Sequence, residues 1–366
     1  MGHILIAGSR GYPAKYGGFE TLAHKLAEIW SAQNIHTVIT GFAKDGTKPI
    51  QVGNYRDGLI KSVTVTIPVW SRLKNLVSTL LAVIYAVRKF EITCALVLND
   101  VNFLSALYLR SRGIKTIIHL DGDESARRGL PRLGRLMHVL FRRMSFKFLD
   151  DLVIDSFALL RTVPRWSESN IRVIKYGVDP NDIYKSDIPF SADWMAHPYI
   201  LTVARLVPEN NIKEILGAYM KSNCKIPLVI IGKGTGKLRY EKELESLRMV
   251  EKDRVFILPA MYDSKLIHYL MSKCTLYVHG HEAGGTNPVL VSARFYARKI
   301  CSHDNIYNRE CARVDEIFWH DNQDLKSNFD ELEDVLANSG RDLVQESGLE
   351  NWNSIGKQYL ELLLSK

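Results

Sequence analysis

A chain of 366 residues exceeds one ordinary core and suits two domains of about 150 residues each. With 46% apolar, 24% charged and 10% aromatic residues, it has the composition of a soluble globular protein, which excludes a disordered, collagenous or coiled-coil chain. The formal charge of +8 is uneven: Met1–Pro180 carries 25 Lys and Arg against 14 Asp and Glu, the remainder 23 against 26, so the basic half points to an anionic partner (nucleic acid, a membrane surface or a phosphorylated ligand).

The chain opens with a strand, His3–Ala7, running into a turn, so no signal peptide is expected. Further strands are predicted at His36–Thr40, Ser62–Ile67, Ala95–Leu98, Lys115–His119, Leu152–Ile154 and Arg172–Ile174. Amphipathic helices fall between them at Phe19–Trp30, Arg72–Lys89 and Gly134–Phe148. The longest apolar stretch, Leu76–Val87, is interrupted by Ser78 and Thr79 and is too short for a bilayer span of about 20 residues. Tyr176–Pro198 has three prolines and no periodicity, and reads as a linker.

The rhythm then restarts. Strands Tyr199–Val203, Leu228–Ile231, Val255–Leu258 and Leu276–Val278 alternate with helices Glu209–Met220, Leu238–Leu247, Ser264–Lys273 and one starting near Asn287. The expectation is an α/β protein of two Rossmann-like, doubly wound parallel-sheet domains facing a cleft, with chemistry at the carboxyl ends of the strands. The domains are drawn at 1–178 and 179–350, with a helix over 351–366 returning toward the first.

The five cysteines have an odd count and no Cys-x-x-Cys spacing, so reduced buried thiols are expected rather than zinc or disulfides. The first turn, Gly8 to Thr21, is long and basic. Gly17 and Gly18 would let backbone N–H groups approach a phosphate at a helix start; a flexible, capped loop is the other reading. Asp121, Asp123 and Glu124 could supply a base or orient sugar hydroxyls, or form a solvated acidic turn.

In the second half, Arg205 ends a strand where it could grip a diphosphate, and Lys233 lies in a glycine-rich turn that follows the next strand. From His279 to Pro288, a glycine pair, a hydroxyl, an Asn cap and a first-turn Pro build an exposed helix N-terminus suited to phosphate oxygens. His279, His281 and Glu282 lack a third ligand of matching spacing, so no metal is expected.

Together, Arg10–Thr21, Ala204–Ile212 and His279–Pro288 resemble the retaining glycosyltransferases of family 4, which have the GT-B fold, and within them the bacterial rhamnosyltransferase-like branch. Asp151–Ser156 and Ile174–Asp179 add a weaker likeness to the same family. The resemblance implies a metal-independent hexosyltransferase. Its nucleotide-diphosphate sugar, a dTDP- or UDP-sugar with L-rhamnose as one expectation, is a substrate held mainly by the second domain; no cofactor is expected. Arg205 would neutralise the leaving diphosphate, with Lys233, His281, Glu282, Gly284, Gly285, Thr286 and Asn287 around the donor, and Gly17 and Gly18 closing from the first domain. Asp121 would stand near the anomeric carbon, and the leaving phosphate can take the acceptor proton. The acceptor implied is a lipid-linked oligosaccharide of a bacterial surface polysaccharide, such as an O-antigen lipopolysaccharide or a capsule.

Two departures stand out. Ser292 occupies the place where the branch carries a Glu for the ribose, and Asp123–Ala126 replaces Leu-Glu-Trp-Lys. They motivate the rival expectation of a catalytically impaired homologue acting as a binding or scaffolding subunit. A nucleotide-sugar epimerase of similar build lacks the motif match.

Ser125–Leu149 holds Arg127, Arg128, Arg132, Arg135, Arg142, Arg143 and Lys147 and no acid. Most of its apolar residues are expected to pack on their own sheet, while the charges point to an anionic membrane surface rather than nucleic acid. The location expected is therefore cytoplasmic, peripheral on the inner face of the cell membrane.

Overall fold

In a computed structural model of the chain, the described residues are 2–14, 17–42, 49–67, 74–120, 122, 132–149, 151–234, 236, 238–282, 284–332 and 349–365. They form two compact units, one of the described residues up to Gly177 together with those from Glu350 on, the other of those within Val178–Leu349. The fold class is as expected: α/β, with a doubly wound sheet in each unit.

The first unit contains β1 (His3–Ser9), β2 (Thr37–Phe42), β3 (Ile50–Tyr55), β4 (Ile60–Val65), β5 (Ile92–Leu98), β6 (Lys115–His119), β7 (Asp151–Ile154) and β8 (Ile171–Val173). Its helices are α1 (Gly18–Ser31), α2 (Lys74–Lys89), α3 (Phe103–Ser111) and α4 (Arg132–Phe148). The sheet order is β3-β4-β2-β1-β5-β6-β7-β8, parallel except for β3 on β4. Ile4–Ala7 and Ala95–Leu98 are buried apolar runs, as a strand covered on both faces requires. β3 alternates half-buried and exposed residues, as suits an edge strand.

The second unit contains β9 (Ile200–Val203), β10 (Leu228–Ile231), β11 (Val255–Leu258), β12 (Leu276–His279), β13 (Ile300–His303) and β14 (Ile317–Trp319), in the all-parallel order β11-β10-β9-β12-β13-β14. Its helices are α5 (Ile212–Lys221), α6 (Leu238–Val250), α7 (Ser264–Lys273), α8 (Pro288–Tyr296), α9 (Ile306–Glu310) and α10 (Asn322–Asp330). The final helix, α11 (Trp352–Leu364), belongs to the first unit. There the Trp30 indole donates to the Gly356 carbonyl at 3.1 Å, and Tyr359 meets His119 Nδ1 at 2.8 Å.

Two expectations are corrected. The segment after Gly177 is a docked strap. Tyr296 donates to the Asp179 carbonyl, His268 Nδ1 lies 2.5 Å from the Asp182 carbonyl, Tyr184 donates to Asp263 at 2.8 Å, and Trp194 is buried against Tyr199. Apolar anchors every few residues do the docking, without the strict period that marks a helix or strand.

The second correction concerns α4. Only its last turns bury Ser145 and Phe146, with Phe141 stacked on Phe103; Leu133, Leu136 and Leu140 face outward, Leu136 being 62% exposed. Among the described residues, no helix is long and apolar enough to cross a membrane. Cys94, Cys224, Cys274 and Cys301 are buried free thiols, and Cys311 is free and half-buried.

Candidate functional site

In the second unit the strand order reverses at β9. The chain moves from β9 through β10 to β11 on one side, then returns to β12 on the other. The turns after β9 and β12 thus part around a crevice, the usual ligand position in such sheets.

These two turns are laced together. Asn211 donates to the Gly280 carbonyl at 2.9 Å, the Glu282 N–H donates to the Glu209 carbonyl at 3.1 Å, and His281 Nδ1 meets Asn210 Oδ1 at 2.8 Å. Asn210 in turn donates to the Arg205 carbonyl at 2.8 Å. Gly280 permits this closeness, since a Cβ there would lie 2.2 Å from the Asn210 carbonyl oxygen. Asn211 holds the left-handed conformation (φ 50°) that an Asn tolerates, and it ends the turn before α5.

The half-buried Arg205 is thereby fixed through its backbone, while its guanidinium makes no hydrogen bond or ion pair among the described residues. Lys233 stands in the neighbouring turn, where its carbonyl accepts from the Leu206 N–H at 3.1 Å and its ammonium is exposed. Part of the glycine-rich turn is already used: the Gly236 N–H donates to Glu241 at 2.9 Å.

At the β12 end, Asn287 caps α8 by accepting from the Val289 N–H at 2.9 Å, and Pro288 takes the first helical position. Gly284 has φ 108°, with His281 Nε2 3.6 Å from where its Cβ would be. Gly285 and Thr286 lie half-buried between them. Glu282 is held by Asn211 at 3.4 Å.

Ser292 points at α7, with its Oγ 3.1 Å from His268 Nε2. His279, at the end of β12, is a buried core residue. Burial, then the proximity of His281, holds its pKa well below the ordinary 6.5 and the ring neutral. The described residues hold no cluster suited to a metal ion.

In the first unit Gly17 caps α1 with φ 113°. Its carbonyl accepts from the Thr21 N–H and hydroxyl, and a Cβ on it would meet Glu20. Glu20, paired with Arg10 at 3.4 Å, therefore already lies over that helix start beside Gly18. Tyr12 is bound to Glu28, which also takes Arg56, fastening the rest of the β1 turn to α1. Asp121, Arg127 and Arg128 lie outside the described residues.

The structure gathers Arg205, Lys233 and the start of α8, all singled out in the sequence, on the neighbouring turns after β9, β10 and β12. The sequence did not single out Asn305 and Asn308. Asn305 and Asn308 both donate to the His281 carbonyl at 3.0 Å and brace the β12 turn. Their only sequence signal is the Asn-x-x-Asn spacing at a helix start.

Comparisons with known proteins agree with this anatomy. Residues 187–289 match the family described as Glycosyl transferases group 1, and residues 1–179 match a domain of unknown function, DUF1972. No curated protein matches the sequence at a significant level. Among solved structures, sucrose-phosphate synthase from Thermosynechococcus elongatus aligns with a TM-score of 0.79 at 16% identity, over 99% of this chain and 98% of that one. HepE of Anabaena, in complex with UDP and glucose, gives 0.72 at 16% identity over 100% of both chains. The catalytic domain of Arabidopsis thaliana starch synthase IV, bound to ADP and acarbose, gives 0.71 at 13% identity over 99% and 98%. The fold is that of the GT-B glycosyltransferases. Together with the group 1 match, it supports a glycosyltransferase of that build.

Proposed function

We propose that the protein is a retaining, metal-independent hexosyltransferase of family 4 type, moving a sugar from a nucleotide-diphosphate donor to a lipid-linked oligosaccharide of a bacterial surface polysaccharide. The observation that carries this reading is the Arg205 guanidinium, held by its backbone at the β9–β12 crevice and free of any protein anion among the described residues. A cation without a protein anion among the described residues, on a turn laced to the β12 turn that leads into α8, is suited to a diphosphate, whose developing charge Arg205, Lys233 and the helix dipole would stabilise. Gly284, Gly285 and Thr286 would face the phosphates and sugar, and Asp121 the anomeric carbon. L-rhamnose carried on dTDP is the donor we favour, since a nucleoside without a 2′-hydroxyl asks least of Ser292.

The outward leucines of α4 support attachment to the inner face of the membrane. Leu133, Leu136 and Leu140 are exposed beside exposed Arg132, Arg135, Arg143 and Lys147. Such a face suits an anionic lipid interface. The Arg132→Glu, Arg135→Glu, Arg143→Glu triple variant should lose sedimentation with phosphatidylglycerol vesicles; unchanged sedimentation would remove this part of the reading.

The donor assignment is tested by a thermal-shift panel of dTDP, UDP, GDP and ADP with their sugars. At 100 times the dissociation constant a true ligand adds about 2.7 kcal/mol. Stabilisation by one nucleotide family is expected. No shift with any of them at millimolar concentration would favour the rival binding-subunit reading, which the engagement of Ser292 by His268 supports.

A further inference from the structure

The first sheet also reverses its strand order, at β1. The chain goes from β1 to β2 on one side and later returns from β4 to β5 on the other. The turns after β1 and β5 touch: a Cβ on Gly8 (φ +97°) would lie 2.5 Å from Asn102 Nδ2 and from the Leu98 carbonyl oxygen. By the same rule as in the second unit, the crevice there is where a ligand of this sheet belongs. Asp100 lies in the turn after β5, two residues past Leu98.

Asp100 is fully buried, its side chain only 1% exposed. One carboxylate oxygen, Oδ1, lies 2.7 Å from His138 Nδ1 on α4, and the other, Oδ2, has no partner among the described residues. A half-satisfied buried carboxylate is costly and calls for an explanation. Its effect on His138 is specific. A carboxylate only accepts, so Nδ1 must carry the ring proton, and in the neutral imidazole Nε2 is then a bare acceptor.

Nε2 has no partner among the described residues, and the His138 side chain remains 12% exposed. Arg142, one turn further along α4, is held by the Gly122 carbonyl at 3.2 Å and so frames the same face. α4 therefore sends leucines outward and turns an oriented imidazole toward the strand ends.

We infer that the Asp100–His138 pair is a hydroxyl-binding site of the first unit, with His138 Nε2 accepting a hydrogen bond from a sugar hydroxyl of the acceptor. Asp100 is a positioning residue that fixes the tautomer from behind. The inference rests on the transferase reading only in calling this sugar the acceptor; the site itself stands on geometry. An acceptor nitrogen held in one tautomer discriminates for a hydroxyl and against its deoxy or O-methyl counterpart.

The test uses the full chain and n-octyl glycosides of glucose, galactose, mannose and N-acetylglucosamine, below their micelle concentrations, as probes in ligand-observed NMR titrations. At least one should bind the wild type. Its affinity should fall about tenfold or more in His138→Ala and in Asp100→Asn, the loss of about one hydrogen bond. His138→Gln, whose amide oxygen still accepts, should recover part of the loss, which a purely structural role would not produce. Nucleotide-induced thermal shifts should be the same in all variants. Equal glycoside binding by wild type and His138→Ala, or no binding by the wild type, overturns the inference. Glycoside binding that depends on His138 in a protein deaf to every nucleotide sugar would leave this site standing and sink the transferase reading instead.

Discussion

In the first unit, Arg10 is paired with Glu20 at the start of α1 and Arg56 with Glu28 further along that helix, while Asp100 orients the imidazole of His138. At the reversal of the second sheet, Arg205 and Lys233 have no protein anion among the described residues, and the anchoring is done by neutral asparagines. The same doubly wound topology therefore carries two opposite electrostatic designs. Charges neutralised within the protein shape a turn; a charge deliberately left over is an invitation to an anion. The contrast also runs inside the second unit. Arg294, on α8, is buried in a bidentate pair with Glu316 at 2.8 and 3.0 Å, and Ser302 donates to the same carboxylate at 2.6 Å.

This difference between paired and unpaired arginines can be broken by substitution. Arg294→Ala leaves a buried, uncompensated carboxylate and should cost about 3–5 kcal/mol in urea unfolding. Replacing both partners, as in Arg294→Met with Glu316→Leu, should recover most of that. Arg205→Ala should do the reverse. Removing one preorganised group from a diphosphate costs on the order of 100-fold in transfer, while urea stability changes by no more than about 0.5 kcal/mol. If Arg205→Ala instead lowers urea stability by several kcal/mol while the folded variant binds nucleotide as well as the wild type, the guanidinium is a scaffold group and the contrast collapses.

His279 sharpens the comparison through pH. Burial, then His281, holds its pKa well below 6.5, so the unfolded chain takes up a proton that the folded state refuses. Stability from this group is complete above about pH 6.5 and is lost as pH falls from there toward its folded value, by up to about 1.4 kcal/mol per pH unit. His279→Gln should flatten the fall in urea midpoint between pH 7 and 5.5. An unchanged slope would mean that the acid sensitivity arises elsewhere.

Much of the scaffold was legible because covered parallel strands must be continuous apolar runs, and Leu228–Ile231 or Ala95–Leu98 can hardly be read otherwise. β3 was missed because Ile-Gln-Val-Gly-Asn-Tyr is an edge strand whose apolar Ile50 and Val52 are exposed while Gln51 and Gly53 are half-buried, the inverse of the pattern that marks a strand. The face of α4 was misjudged for a different reason. Helical spacing marks which residues share a side, yet only packing shows whether that side meets the sheet, and here just the last turns do. Within the second-unit crevice, cations and the Asn-Pro start of α8 carry local signatures. Asp100 and His138 stand 38 positions apart on different elements and carry no spacing signal, so only the fold brings them together.

The smallest effect separates the two jobs proposed for the start of α8. Asn287 accepts from the Val289 N–H, so Asn287→Ala should lower stability by about 1 kcal/mol through the lost cap alone. Asn287→Asp keeps the accepting oxygen and places a negative charge at the positive end of the helix, so the fold should be as stable or slightly more stable. The same charge would stand where a diphosphate is proposed to bind, and like charges there disfavour association. The expected result for Asn287→Asp is thus an unchanged or raised melting temperature without nucleotide, with the nucleotide-induced shift reduced. Salt should mask part of the reduction, because the charge is partly solvated. If Asn287→Asp binds nucleotide as well as the wild type at low salt, the start of α8 is a capped helix end and no more, and the second crevice would owe its anion site to Arg205 and Lys233 without the helix.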